Sequence, residues 1–318
     1  MITYMCAYLR YYYPKEFIAG YLNFAANADD VKNGQELARE YGVTITPPTY
    51  GVSRGGYTYD KEAGVIAKGL SSIKYLGDSV AEELYEISKS KSPKRFSELL
   101  IDLQETSIDN RQLSILVNID FFRKFGTVPK LARILQAYQI FYKQKKFVAS
   151  LQKGKIGNGN FAEIVSKYAT DKTKAGKEST SYKFESTDKV IECLYECEDY
   201  IMALNIPDLT MKQKVANSIE YLGYCDVQTG LPQDRRKLII AEVYANKQKG
   251  TGEIWGYRVE TRSLGTGKDA RLTIPARIYN KNPINKGDII YATNVYKNSK
   301  GYWYMDTYQV MSSDFSQG

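Results

Sequence analysis

The chain has 318 residues, with 44 Lys and Arg against 36 Asp and Glu, a net charge of +8 and an isoelectric point near 9.0. Its 43% hydrophobic and 25% charged content suits a soluble protein of two or three domains, and no apolar run approaches the ~18 residues of a membrane span. The absence of His excludes Ser-His-Asp triads, Cys-His dyads and His-containing zinc sites, while four Cys are too few for a disulfide framework and suit a reducing cytoplasm.

The N-terminus, MITYMCAYLRYYYPKE, does not read as a signal peptide. Residues 1–60 read as helices followed by a loop. Pro14 and Glu16 suit a first helical turn, Asp29 suits an N-cap, and Gly42 suits a helix stop. Val43-Thr-Ile-Thr-Pro-Pro reads as extended, because proline restricts the residue before it. Gly51, Gly55 and Gly56 mark a loop, and Tyr57 and Tyr59 alternate with polar residues as in a short strand.

Residues 61–140 read as short helices joined by tight turns. Leu70 and Ile73 close one helix, Tyr75-Leu76-Gly77 turns the chain, and Asp78 or Ser79 caps a second helix carrying Val80, Ala81, Leu84 and Ile87. This is a helix-hairpin-helix pattern. Its backbone N–H groups, at the turn and at the second helix start, point at a phosphate and read no sequence. An ordinary helical hairpin with a glycine corner has the same pattern.

Residues 141–183 carry a net +7 and are rich in Lys, Gly and Ser, which suits a solvated linker or one that tracks phosphates. Residues 184–230 carry −6 and read as a helical connector. Its Cys193 and Cys197 lie one turn apart and suit buried hydrophobes better than a metal pair.

Residues 231–318 carry +6 and switch to period two. Five strands are expected, at 237–244, 253–261, 270–279, 288–296 and 302–310, as in a small OB-like barrel. In the third, Leu272, Ile274, Ala276 and Ile278 alternate with Arg271, Thr273, Arg277 and Tyr279. The outer face would present Arg271, Arg277 and Tyr279 with Trp255 and Tyr257 to a single strand, unless these rings fill the core instead. With 28 Tyr in a basic chain, nucleic acid is the expected partner. The fold class is therefore α+β and multidomain: a helical N-terminal part with helix-hairpin-helix motifs and a C-terminal five-stranded OB-like barrel.

Four stretches resemble a known family in order and spacing. They are Ala7–Phe17 (AYLRYYYPKEF), Ala38–Pro48 (AREYGVTITPP), Lys68–Asp78 (KGLSSIKYLGD), and Phe96-Ser-Glu-Leu followed by Asn110-Arg111, Leu113, Leu116 and Asp120-Phe121. Together they resemble the C-terminal half of the α subunit of bacterial DNA polymerase III, a C-family replicative polymerase. The strand-rich tail falls where that family has its OB domain, and Glu220-Tyr-Leu-Gly-Tyr looks like a worn copy of another family segment. The first glycine of the family's hairpin is replaced here by Tyr75.

The resemblance implies the end of the fingers, a helix-hairpin-helix domain and an OB domain. It places this chain downstream of the palm, whose three Asp hold two Mg²⁺ ions. The chain would thus have no cofactor or metal of its own, no catalytic residue, and no polymerase activity alone. Lys68, Lys74, Gly77, Asp78 and Ser79 are expected to hold duplex phosphates, with Arg111, Lys124 and Lys130 near a second hairpin. Expected partners are primer-template DNA, single-stranded DNA and a palm-containing polymerase chain, with a sliding clamp and other replisome subunits further off; no membrane is expected. Two other readings stand beside this one: an independent DNA-binding accessory protein, and a protein-interaction module.

Overall fold

A computed structural model describes residues 2–26, 28–156, 159–172, 178–222, 225, 227, 229 and 231–311. Asp29, expected as a cap, falls inside the helix that begins at Ala28, and its side chain, like Gly223 and Tyr224 of the worn segment, lies outside what is described. The chain divides into two compact units, residues 1–208 and 209–318.

Unit 1 opens with helices α1 (Ile2–Tyr12), α2 (Pro14–Asn23) and α3 (Ala28–Glu40). Pro14 starts α2, where its missing N–H has no partner to lose. Gly42 ends α3 at φ +66, with Gly42 N–H on Arg39 O (3.1 Å) and Val43 N–H on Ala38 O (2.8 Å). That is a Schellman stop, and its apolar pair Ala38 and Val43 joins a core with Ile18, Leu22 and Ile66. A three-stranded sheet follows: 65–67 lies between 45–46, which runs parallel to it, and 58–60, which runs antiparallel.

Helices α4 (Asp78–Ser90), α5 (Phe96–Asp102), α6 (Asn110–Asn118) and α7 (Val128–Phe141) form the next layer. Buried Tyr50, Phe96, Phe121 and Phe122 interlock ring on ring beneath them, with centroids 4.9–6.0 Å apart.

The basic block 141–183 departs from the expected linker. Strands 142–143 and 146–147 form a hairpin after α7, and its two-residue turn has Gln144 and Lys145 at φ +51 and +60. Helices α8 (Lys153–Ile156) and α9 (Asn160–Tyr168) then pack with a sheet in which 178–184 lies between 150–152 and 169–172. The reason is apolar spacing that composition hides: Leu151, Ile164, Val165, Ala169, Tyr182 and Phe184 are buried between the lysines.

Helix α10 (Thr187–Ala203) completes unit 1. Its Glu198 is buried and accepts the Phe96 and Ser97 N–H groups at 2.9 and 3.0 Å, as well as the Ser97 hydroxyl. A carboxylate thus closes the start of α5 from about a hundred residues away. Cys193 and Cys197 are buried, and the neighbouring Cys193 with burial pushes the Cys197 thiol up.

The expected connector is therefore split. Its second helix, α11 (Met211–Leu222), belongs to unit 2, where Met211 and Val215 cover Ile239, Leu264 and Ile289. The barrel strands are β1 (Lys237–Lys247), β2 (Ile254–Ser263), β3 (Asp269–Pro275), β4 (Ile289–Lys297) and β5 (Trp303–Val310). They close in the order β2-β3-β5-β4-β1, with β1 also paired to β2. Only the β3–β5 pairing is parallel. Ile240, Val259, Leu272, Ile274, Ile290 and Met305 fill the interior. The third strand is shorter than expected. Pro275 ends β3, and residues 276–279 turn into a short helix, α12 (Ala276–Tyr279). The alternation read through Tyr279 therefore does not hold beyond Pro275.

Candidate nucleic-acid interface

The first hairpin presents backbone. A single 3-10 turn at Leu70–Ser72, with Leu70, Ile73 and Leu76 buried, leads to Tyr75 at φ +68 and then to α4. Gly77 caps α4 without a side-chain hydrogen bond, so the first-turn N–H groups of α4, with Asp78 and Ser79 exposed, face outward. Gly77 has φ −95, and a Cβ there would meet only Ser79 Oγ, at 4.0 Å. Its small size therefore answers no need of the fold.

Cations gather around this turn. Lys74 is exposed. The Arg111 guanidinium lies 3.7 Å from the Tyr75 ring centroid, and Gln112 Nε2 donates to Tyr75 O at 2.9 Å. Arg54, from the glycine loop, lies 4.1 Å over Tyr85 of α4, and its hydrogen bond to Tyr85 raises its pKa. That loop is tied to the turn by Leu70 N–H on Arg54 O (2.8 Å) and Ser71 N–H on Gly55 O (3.0 Å). Lys68 differs from expectation: it is 2% exposed and sits beneath the surface, because it directly follows the middle strand of the small sheet, with its N–H on Thr46 O at 3.1 Å.

The second hairpin runs from α6 through Asp120, at φ +67, to the start of α7. Lys124 is exposed over the Tyr50 ring at 4.5 Å, and loss of solvation lowers its pKa. Lys130 is engaged within the fold, its Nζ donating to Met202 O at 2.8 Å.

On the barrel, the expected single-strand residues separate. Trp255 is exposed, and Arg271 pairs with Glu260 at 3.0 Å. Tyr257 and Tyr279 stack on each other, with centroids 3.7 Å apart, and pack against the barrel core. The Tyr279 hydroxyl donates to Ile284 O at 2.7 Å. Tyr279 is thus a plug held by α12 and is not on the outer strand face. Arg277 is exposed on α12, near Tyr296. The Tyr296 pKa is raised by loss of solvation and by Asp306, with Arg277 opposing.

One register row, which sequence reasoning missed, crosses all five strands: Tyr244, Arg258, Thr273, Tyr304 and Tyr296. Arg258 lies 4.8 Å over Tyr244, and Tyr296 stacks on Tyr304 at 5.8 Å. Beside the row, the β4–β5 hairpin exposes Tyr302 and Trp303, with Lys297 5.3 Å over Trp303. The available signal was aromatic residues flanking the turn Asn298-Ser-Lys-Gly, at strand ends where a core ring is not needed.

Comparison with known proteins agrees with this geometry. A family model described as a helix-hairpin-helix motif matches residues 42–130, which span both hairpins. The α subunit of DNA polymerase III from Thermus aquaticus is 29% identical over 138 residues, 43% of this chain and 11% of the relative. The chain resembles part of a DNA polymerase III α subunit. The Bacillus subtilis α subunit is 26% identical over 127 residues, 40% of this chain and 11% of its own. The Treponema pallidum α subunit is 23% identical over 245 residues, 76% of this chain and 18% of its own. That match is longer than unit 1 and so reaches into the barrel unit. The chain spans between 11% and 18% of the length of these α subunits.

Among the described residues no three Asp, Glu or Cys side chains gather as a metal site would require. Among the same residues no helix is long and apolar enough to cross a membrane.

Proposed function

We propose that this chain is a DNA-binding portion of a replicative polymerase α subunit. It grips duplex phosphates through the first helix-hairpin-helix and single-stranded template through the outer row of the barrel, while a palm on another segment or chain performs nucleotidyl transfer. One observation carries the reading: the uncapped start of α4 faces outward behind Gly77, ringed by Arg54, Lys74 and Arg111. Backbone donors with cations around them bind a phosphate and ignore the base sequence. On the barrel, the rings of the register row offer stacking surfaces, and Arg258 and Arg277 supply charge beside them.

Fluorescence anisotropy of labelled duplexes against the full chain tests the hairpin. Binding should be indifferent to sequence and fall steeply with salt, as counterion release requires. Lys74→Glu should weaken it several-fold. Gly77→Val should weaken it too; a Cβ there meets no protein atom closer than Ser79 Oγ, so the thermal midpoint should fall only by what a poorer N-cap costs. Duplex binding that ignores salt, or that both variants leave intact, would sink the reading.

A further inference from the structure

A cleft of about 520 Å³ opens between α5, α6, α7 and the hairpin that follows α7. That volume is within the ~300–1,000 Å³ of small-molecule sites. Its floor is apolar, with Leu103, Leu113 and Tyr138 buried. Its wall is the half-buried Tyr142 ring, stacked on Tyr138 with centroids 5.3 Å apart and planes 22° apart, and backed edge-on by Phe147. Inside, the Gln104 amide lies beside the Tyr138 hydroxyl, and its hydrogen bond there opposes the rise that burial gives the Tyr138 pKa.

The rim is charged. Lys143 and Lys145 stand on the hairpin, whose left-handed turn residues Gln144 and Lys145 fix the tip. Neither has an ion-pair partner among the described residues, and neither does nearby Lys155, whereas Lys153 is paired with Asp171 at 2.9 Å. Loss of solvation and then the Lys155 ammonium hold Lys143 below the ordinary lysine value. Asp109, the carboxylate that lines the cleft, is engaged in capping α6, accepting Gln112 N–H at 2.7 Å. Adjacent ammonium groups without ion-pair partners suit an anion. A fixed ring beside an amide that can adjust its hydrogen bonds suits a heteroaromatic ring.

We propose that this cleft holds one nucleoside phosphate unit, its base against Tyr142 within reach of Gln104, and its phosphate on Lys143 and Lys145. The unit is either a free nucleotide or the phosphorylated end of a strand. The site is separate from the first hairpin and stands whether or not that hairpin binds duplex.

Isothermal titration of the full chain with dAMP, and separately with 5′-phosphorylated oligo-dT, distinguishes the two sources. Saturable binding of at least one probe is expected. Tyr142→Ala should weaken it about tenfold or more. Lys143→Glu with Lys145→Glu should weaken it comparably, and these exposed positions let that variant fold even where Tyr142→Ala does not. Inorganic phosphate should compete poorly against dAMP, lacking a base. A loss seen with dAMP assigns a free nucleotide; a loss seen only with the oligonucleotide assigns a strand end. Duplex affinity should stay unchanged in the lysine variant, which separates this result from any failure of the hairpin. No binding of either probe, or binding of both unchanged in the lysine variant, overturns the proposal.

Discussion

Tyr279 shows how one residue's environment reverses a reading of its role. The alternating pattern before it suggested an exposed stacking ring, yet Pro275 ends the strand and the ring lies on Tyr257. Pattern could not reveal this, because a four-residue helical turn leaves no periodicity of its own. Tyr279→Ala should therefore destabilise unit 2 by about 2–3 kcal/mol, as loss of a packed aromatic does. Tyr244→Ala should barely change stability but weaken oligo-dT binding about tenfold. Thermal melts and anisotropy on the two variants check both. An equal effect of the two on stability would return Tyr279 to the surface. Tyr75 was legible in part. Its place at a family glycine marked it as unusual, and the structure shows it in the left-handed region that glycine occupies freely. What holds it there, the Arg111 stack and the Gln112 donor, comes from 36 and 37 positions further along and left no local trace.

At the scale of elements, local signals succeeded where the chemistry was local. Pro14 at a helix start, Gly42 in a Schellman stop and the tight turn before α4 could all be read from a few neighbouring residues. The fold of 141–183 could not, because abundant lysine masks the buried alternation of Leu151, Tyr182 and Phe184. Glu198 is a second case. It reads as one more acid in an acidic block, yet it caps α5 across the unit. Glu198→Ala strands two buried N–H groups and should cost about 2–4 kcal/mol in denaturant melts of the whole chain. Glu198→Gln keeps an acceptor oxygen and should cost clearly less. A Gln variant as damaged as the Ala variant would show that charge at the helix start matters more than hydrogen bonding.

The whole molecule is two compact units, one holding both hairpins and the other the closed barrel. The hairpins and the closed barrel were foreseen as classes of structure; the division at 208 and 209 was not, because taking 184–230 as one acidic block hides that its net −6 lies entirely before residue 209. In a primer-extension assay with Mg²⁺ and all four dNTPs, the isolated chain should add no nucleotide, because its described residues gather no metal-binding trio of carboxylates. Extension by a preparation free of other polymerases would mean that a catalytic centre has been overlooked.

Closure of the barrel governs how other proteins engage it. With β1 paired to β2 and β3 to β5, every strand has a bonded neighbour on both sides, which leaves a foreign peptide only the stretches beyond the short β1–β4 and β3–β5 seams along which to lie as an extra strand. A partner that recognises this unit therefore finds mainly side chains and loop tips to read. Those positions can change from one lineage to the next while the interior built on Ile240, Val259 and Met305 stays as it is. The same closure protects the unit from sticking to copies of itself in a crowded solution, although its outer wall carries so many rings.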